Sequence, residues 1–194
     1  MLKTFNRKNC LLLIALLTTI MVCVEWAMGR LLFCKCGIIS VWSGDIWSNE
    51  NSQQLMDPYT LTRILHGWIF YFLLWLVCRK RFKFHFWPML VVAVLLECSW
   101  EILENTNWVI NRYRENTISL DYYGDSIFNS FADVWAMALG FWLANKLHWK
   151  WSVACIITIE IALLFWIHDN LTLNIVMLFY PIEAIKAWQM PSAF

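Results

Sequence analysis

The chain has 194 residues, 60% of them hydrophobic and 15% charged, with a net charge of +1. Soluble domains carry about 25% charged residues, and the deficit is too large to be a bigger core, because core size is limited by chain length. A soluble globular domain is therefore excluded in favour of a chain solvated by lipid, and the near-neutral balance gives no signal for nucleic acid.

A membrane-crossing helix needs about 20 mainly apolar residues. The first such run is Cys10 to Gly29, preceded by Lys3, Arg7 and Lys8. It is read as a retained span, with a cleaved signal peptide as the alternative, because Ala27-Met28-Gly29 loosely resembles a small-residue cleavage site. Gly29 to Thr60 follows as an outer loop expected to lie on the membrane surface, with Trp42, Trp47 and few charges. Its Cys34-Lys35-Cys36 has one intervening residue, which is not the usual zinc spacing, and no second pair exists, so it is read as incidental. Further spans are predicted at Leu61 to Cys78, Phe86 to about Leu103, Ser126 to Asn145 and Trp151 to Ile167. The last stretch, Leu171 to Trp188, contains Asn174, Pro181, Glu183 and Lys186; a short sixth span is preferred to a re-entrant helix. The predicted fold is an all-α membrane protein, a bundle of five to six transmembrane helices forming one domain over 1–194. The fourteen Trp fit it, since indoles favour membrane interfaces.

Orientation follows from basic residues. Under alternating topology Lys3, Arg7, Lys8, Arg79, Lys80, Arg81, Lys83, Lys146 and Lys150 share one side, against Arg30, Lys35, Arg63, Arg112 and Arg114 on the other. The first side is assigned to the cytoplasm, which puts the N-terminus there.

The acids are the informative residues. Glu25, Glu101, Glu104, Asp125, Asp133 and Asp169 all fall in the outer half of the membrane or at its edge, where ionisable groups are costly and usually paired or functional. Glu97, Glu101 and Glu104 share one helical face by their spacing of four and three. Like charges so placed repel, so at least one is expected to be protonated, metal-bound or paired, Arg112 or Arg114 being the expected partner. Asp125, Asn129 and Asp133 repeat every four residues as a polar stripe. Ala132, Ala136, Gly140 and Ala144 form a small-residue stripe that permits close helix packing. The two polar stripes lie at the same depth and are expected to face one another. His66 and His168 fall on the same side, whereas His85 and His148 look interfacial. There is no GxSxG, Walker or glycine-rich dinucleotide motif, and no HExxH.

The segments Trp100-Glu101-Ile102-Leu103-Glu104-Asn105, Arg112-Tyr113-Arg114, Thr117 to Ser126 and Asp169-Asn170-Leu171-Thr172-Leu173-Asn174, with Asn129 and Asp133, resemble a family of small bacterial multi-pass membrane proteins of unknown function. The resemblance begins near His66-Gly67 and covers about two thirds of the chain. It implies a bacterial plasma-membrane location rather than an activity. A second resemblance, to VanZ-like membrane proteins linked to glycopeptide resistance, rests on Asn129, Asp133, Ala136 and Gly140, with Asp and Asn exchanged. The Asn129 and Asp133 segment is also similar to lipoprotein signal peptidase, but one residue longer and without that enzyme's other aspartate motif.

Three functions compete. In an envelope enzyme facing the periplasm, Glu101, Glu104 and Asp133 would be the acid–base groups. Arg112, Arg114, Asp125, Asn129, His66, Asp169 and Asn170 would bind a lipid-linked or anionic substrate. A transport protein would carry a cation or proton on the same carboxylates, with Glu160 the one mid-membrane acid able to extend the path. A structural subunit would use the acids to neutralise arginines. No cofactor is evident, and a divalent cation is the one group such acids invite. The expected partner is the lipid bilayer, with no nucleic acid.

Overall fold

The computed structural model describes residues 6–79, 84–117 and 122–190. Lys3, Lys80, Arg81 and Lys83 of the basic asymmetry, and 118–121 of the central motif, lie outside these. Eight helices are found among the described residues: α1 (Arg7–Ala27), α2 (Thr60–Leu74), α3 (Phe86–Glu104), α4 (Asn107–Asn116), α5 (Ile127–Lys146), α6 (Trp149–Ile167), α7 (Leu171–Phe179) and α8 (Glu183–Gln189). A π-helical turn, Trp75–Arg79, prolongs α2. Five helices are long and apolar enough to cross a membrane: α1, α2 with its π turn, α3, α5 and α6. Their exposed residues include Leu12, Phe72, Leu95, Trp135, Ile157 and Phe165. Outward faces of that composition are stable in lipid and not in water. The protein is an all-α membrane bundle.

Local chemistry sets the helix starts. Asn6, Thr106, Ser126 and Asn170 each accept from a backbone N–H three residues on, at the N-caps of α1, α4, α5 and α7, which satisfies a donor that has no partner inside the helix. Pro88 falls in the first turn of α3, where its missing N–H costs nothing.

The closest crossing is between α2 and α5. A Cβ on Gly67 would stand 2.1 Å from the Met137 carbonyl oxygen, and one on Gly140 would stand 2.0 Å from that of Ile64. The small-residue stripe thus meets a glycine on α2. Beside this contact α1 and α3 close an apolar core of Met21, Leu90, Val94, Val134, Met137 and Phe141.

The 30–59 segment leaves Ile38, Ile39, Val41 and Trp42 exposed but buries Gln53, Gln54 and Asp57. It is more than a surface loop, because it is tied to the start of α5: Ser126 N donates to Ser52 O, and Ile127 N to Leu31 O. Cys34 and Cys36, read as incidental in the sequence, are joined by a disulfide within it. We call this the loop end of the bundle.

The sixth span expected over Leu171 to Trp188 does not form. Helix α7 has 9 residues and α8 has 7, and a helix of nine residues rises only about 14 Å. Pro181 breaks the run, since the residue before a proline disfavours helix. Gln189 Nε2 donates to Asp169 Oδ1, so the α7–α8 pair folds back to the end from which it started.

Candidate functional site

At the loop end Arg63, on α2, is the centre of an ion cluster. Its Nε lies 3.0 Å from Asp133 Oδ2 on α5 and 3.5 Å from Glu101 Oε1 on α3; its Nη2 lies 2.6 Å from Glu104 Oε2 and 3.8 Å from Asp125 Oδ2. All five side chains are buried. One guanidinium offers donors in several directions, which is why a single arginine reaches two helices and the segment before α5.

The two predicted stripes therefore do converge at Glu101, Glu104 and Asp133, but across a third helix. In the sequence Arg63 stands out only as a topology charge. Its signal was the spacing Arg63, His66, Gly67, which puts a cation, a titratable ring and a close-packing residue on one face of a span. The expected pairing of an acid with Arg112 or Arg114 is not found among the described residues. Arg112 donates to the carbonyls of Leu178 and Phe179, and Arg114 to that of Tyr122; both clamp backbone segments around the site. Asn129 turns away from the acids, its amide donating to Gln54 O at 2.9 Å and so holding the loop.

Deeper on α2, His66 Nδ1 lies 3.0 Å from Glu97 Oε2, the third acid of the predicted α3 face. Glu97 is fully buried and His66 half-buried. Asp169 accepts from Tyr59 Oη at 3.0 Å and from Gln189 Nε2 at 3.1 Å. Asn170 caps α7, assisted by Glu160, whose carboxylate accepts from the backbone of Leu171 and Thr172. Glu160 is thus occupied at a helix N-terminus, where negative charge is favoured. His168 packs against Trp188 in a tilted ring pair with centroids 4.9 Å apart.

Asp125, Asp57 and Asp169 lie outside the spans. Burial, reinforced by the Glu104 charge, pushes Asp125 up to about 7 despite Arg63 and a 2.8 Å bond from Tyr122 Oη. Burial raises Asp169 to about 6, and it raises Asp57 against three backbone N–H bonds. Glycine is required at 124, where φ is +97° and a Cβ would meet Arg30 Nη1 at 2.6 Å. The tight approach seats Asp125, whose N–H donates to Asn105 Oδ1.

A cavity of about 470 Å³ opens beside the cluster. Its polar lining includes Arg63, His66, Glu104, Tyr113, Asp169 and Asn174, and its apolar lining includes Ile69, Phe70, Leu96, Leu103, Ile175 and Leu178. From Glu104 to Leu96 it follows α3 for about 12 Å. Ile69, Leu96, Leu103 and Ile175 also have exposed surface, so the apolar part opens sideways between helices. Arg112 and Arg114 do not line it, nor do Asp125, Asn129 or Asn170. Glu101, Glu104 and Asp125 each place one carboxylate oxygen within 4.8 Å of the others, a spacing that fits a shared cation.

These features define a class: a helical membrane protein with a buried arginine–carboxylate cluster beside a laterally open cavity. The chain belongs to a family of proteins of unknown function, DUF2585, whose model matches residues 25–191. It is 46% identical over 186 residues to a UPF0314 protein of Rhizobium meliloti, covering 95% of this chain and 93% of that one. It is 47% identical over 164 residues to a UPF0314 protein of Brucella anthropi, covering 83% and 80%. A UPF0314 protein of Paracoccus denitrificans is 46% identical over 162 residues, covering 84% and 82%. No solved structure matches.

Proposed function

We propose that the chain is a bacterial plasma-membrane protein with its N-terminus in the cytoplasm and its loop end in the periplasm, acting there as an envelope enzyme on a lipid-anchored substrate. The observation that carries this reading is the cavity, which is polar at Arg63, His66 and Glu104 and apolar toward Ile69 and Leu96. A molecule with a polar end and a hydrocarbon tail matches both parts, and the sideways opening admits it from the bilayer.

Glu104 and His66 line the cavity and are its acid–base groups; Glu97 fixes the imidazole's orientation, as a carboxylate on the second ring nitrogen does. Glu101 and Asp133 stand behind Arg63 and hold it in place. Asp169 lines the far wall, while Asp125, Asn129, Asn170, Arg112 and Arg114 support the walls and the loop. With four carboxylates around one guanidinium, the cluster repels a bare anion. Without a further cation on these acids the polar end of the substrate must be neutral or cationic; with a cation held there an anionic end is accepted as well. Transport through the bundle is disfavoured by the apolar core of Met21, Leu90, Val94, Val134, Met137 and Phe141 beyond Asp133, and by Glu160's place at α7.

The protein should be extracted with its native lipid in polymer-bounded discs and its bound amphiphiles identified by mass spectrometry. Ile69→Trp and Leu96→Trp fill the opening. The wild type is expected to retain an amphiphile enriched over the surrounding membrane, and the Trp variants to lose it. A lipid complement identical to bulk membrane in all three would overturn the reading.

A further inference from the structure

We propose that Glu101, Glu104 and Asp125 hold one hard divalent cation beside Arg63, with the carboxyl of Glu25 on α1 supporting the site from behind these ligands. The inference goes beyond the enzymatic reading, because the ion would be bound whether or not a substrate enters. An ion with oxygen ligands at about 2.3–2.6 Å keeps those oxygens within about 5 Å of one another, and the three carboxylates meet that limit at 4.8 Å.

The independent observation is Glu25, which sequence reading placed at the membrane edge and gave no role. It sits in the last turns of α1, fully buried, and neither oxygen accepts a well-formed hydrogen bond. Asp125, Glu104 and Arg30 are the charges that face it, and the Ser130 hydroxyl is a side-chain donor within its reach. Arg30 is turned to the Tyr123 carbonyl at 2.7 Å. The Glu101 oxygens also accept no hydrogen bond, and the same holds for Asp125 Oδ2 and Asp133 Oδ1. Gln53 Oε1 is a further orphan, on a side chain whose amide nitrogen donates to the Gly124 carbonyl beside Asp125.

Four buried carboxyl groups, those of Glu101, Glu104, Asp125 and Asp133, thus surround one buried guanidinium, and Glu25 adds a fifth buried carboxyl facing Asp125 and Glu104. Uncompensated buried charge is costly, and so is an orphaned acceptor. Protonation removes the charge, whereas a divalent ion also takes the orphaned oxygens as ligands. The candidate ligands are all oxygens, with no imidazole or thiolate among them, which selects Mg²⁺, Mn²⁺ or Ca²⁺ over Zn²⁺ and Cu²⁺.

The full chain, purified in detergent and stripped with EDTA, should be titrated at neutral pH with Mn²⁺, Mg²⁺, Ca²⁺ and Zn²⁺. Bound Mn²⁺ is read by electron paramagnetic resonance, and thermal stability is followed in parallel. One ion per chain is expected, with a higher melting temperature for a hard cation than for Zn²⁺. Glu25→Gln and Glu101→Gln should each weaken binding at least about tenfold, while Glu183→Gln on exposed α8 should leave it unchanged. No stoichiometric ion on the wild type, or stabilisation by acid alone with no response to any divalent ion, would overturn the proposal. The wild-type measurement decides even where a variant folds poorly, and an ion-free protein that still retains an amphiphile would leave the enzymatic reading standing.

Discussion

At the scale of single residues, Arg63 dominates. Removing the guanidinium of the cluster leaves Glu101, Glu104, Asp125 and Asp133 buried without their paired counter-charge. Arg63→Gln should cost roughly 3–5 kcal/mol, read as a fall in melting temperature in detergent. Arg112→Gln, which gives up bonds to two carbonyls at the protein edge, should cost far less. Asp133→Asn is expected to be tolerated, because Arg63 keeps three carboxylates; a variant as unstable as Arg63→Gln would show that Asp133 carries the pair alone. Asp125 makes a pH prediction. Its carboxyl in the folded protein is raised to about 7, above the ordinary aspartate value of about 4. Between those values the unfolded chain releases the proton first. The stability of EDTA-stripped protein should therefore fall as pH rises from about 4 to about 7 and then level off. Asp125→Asn should flatten that slope in thermal melts across the range. The acids of this site were legible because charge inside an apolar run is conspicuous. Arg63 was less so, since an arginine near the end of a span also serves as a topology signal, and only contact between helices separates the two roles.

At the scale of elements, hydropathy located the five spans because each is a long apolar run, and the Gly140 stripe identified a packing face. The partner of that face was not readable, since Gly67 is a single small residue among bulky ones. Gly67→Ala puts a methyl into the Met137 carbonyl and must push α2 from α5. A loss of about 1–3 kcal/mol or more is expected by thermal melt, together with a weakened Arg63–Asp133 contact, since both lie on the same two helices. The sixth element was misread because apolar composition was weighed above Pro181. The buried part of the 30–59 loop escaped because its backbone is held by partners distant in sequence, such as Ser52 with Ser126, and the short α4 escaped because it is tied to α7 through the side chains of Arg112 and Tyr113.

At the scale of the whole molecule, orientation is testable through the cysteines. Because Cys34 and Cys36 form a disulfide, a membrane-impermeant thiol reagent should leave them unlabelled in intact cells until an impermeant reductant is added. The other cysteines would be replaced in that strain. Lys146→Cys, at the opposite end of the bundle, should stay protected under both conditions. Labelling at 146 with protection of the loop pair would invert the topology and move the site to the cytoplasm.

The arginine cluster also has a consequence for how the protein is made. Arg63 leaves the ribosome 41 residues before Glu104 and 70 before Asp133. Helix α2 therefore enters the insertion machinery carrying a charge with none of these partners yet emerged from the ribosome. It can settle fully only once α3 arrives, and again once α5 does, so that the three helices commit to the bilayer as a group rather than one by one. An acid lost from α3 would then show itself first as stalled or degraded nascent chain, before any folded protein exists to be assayed.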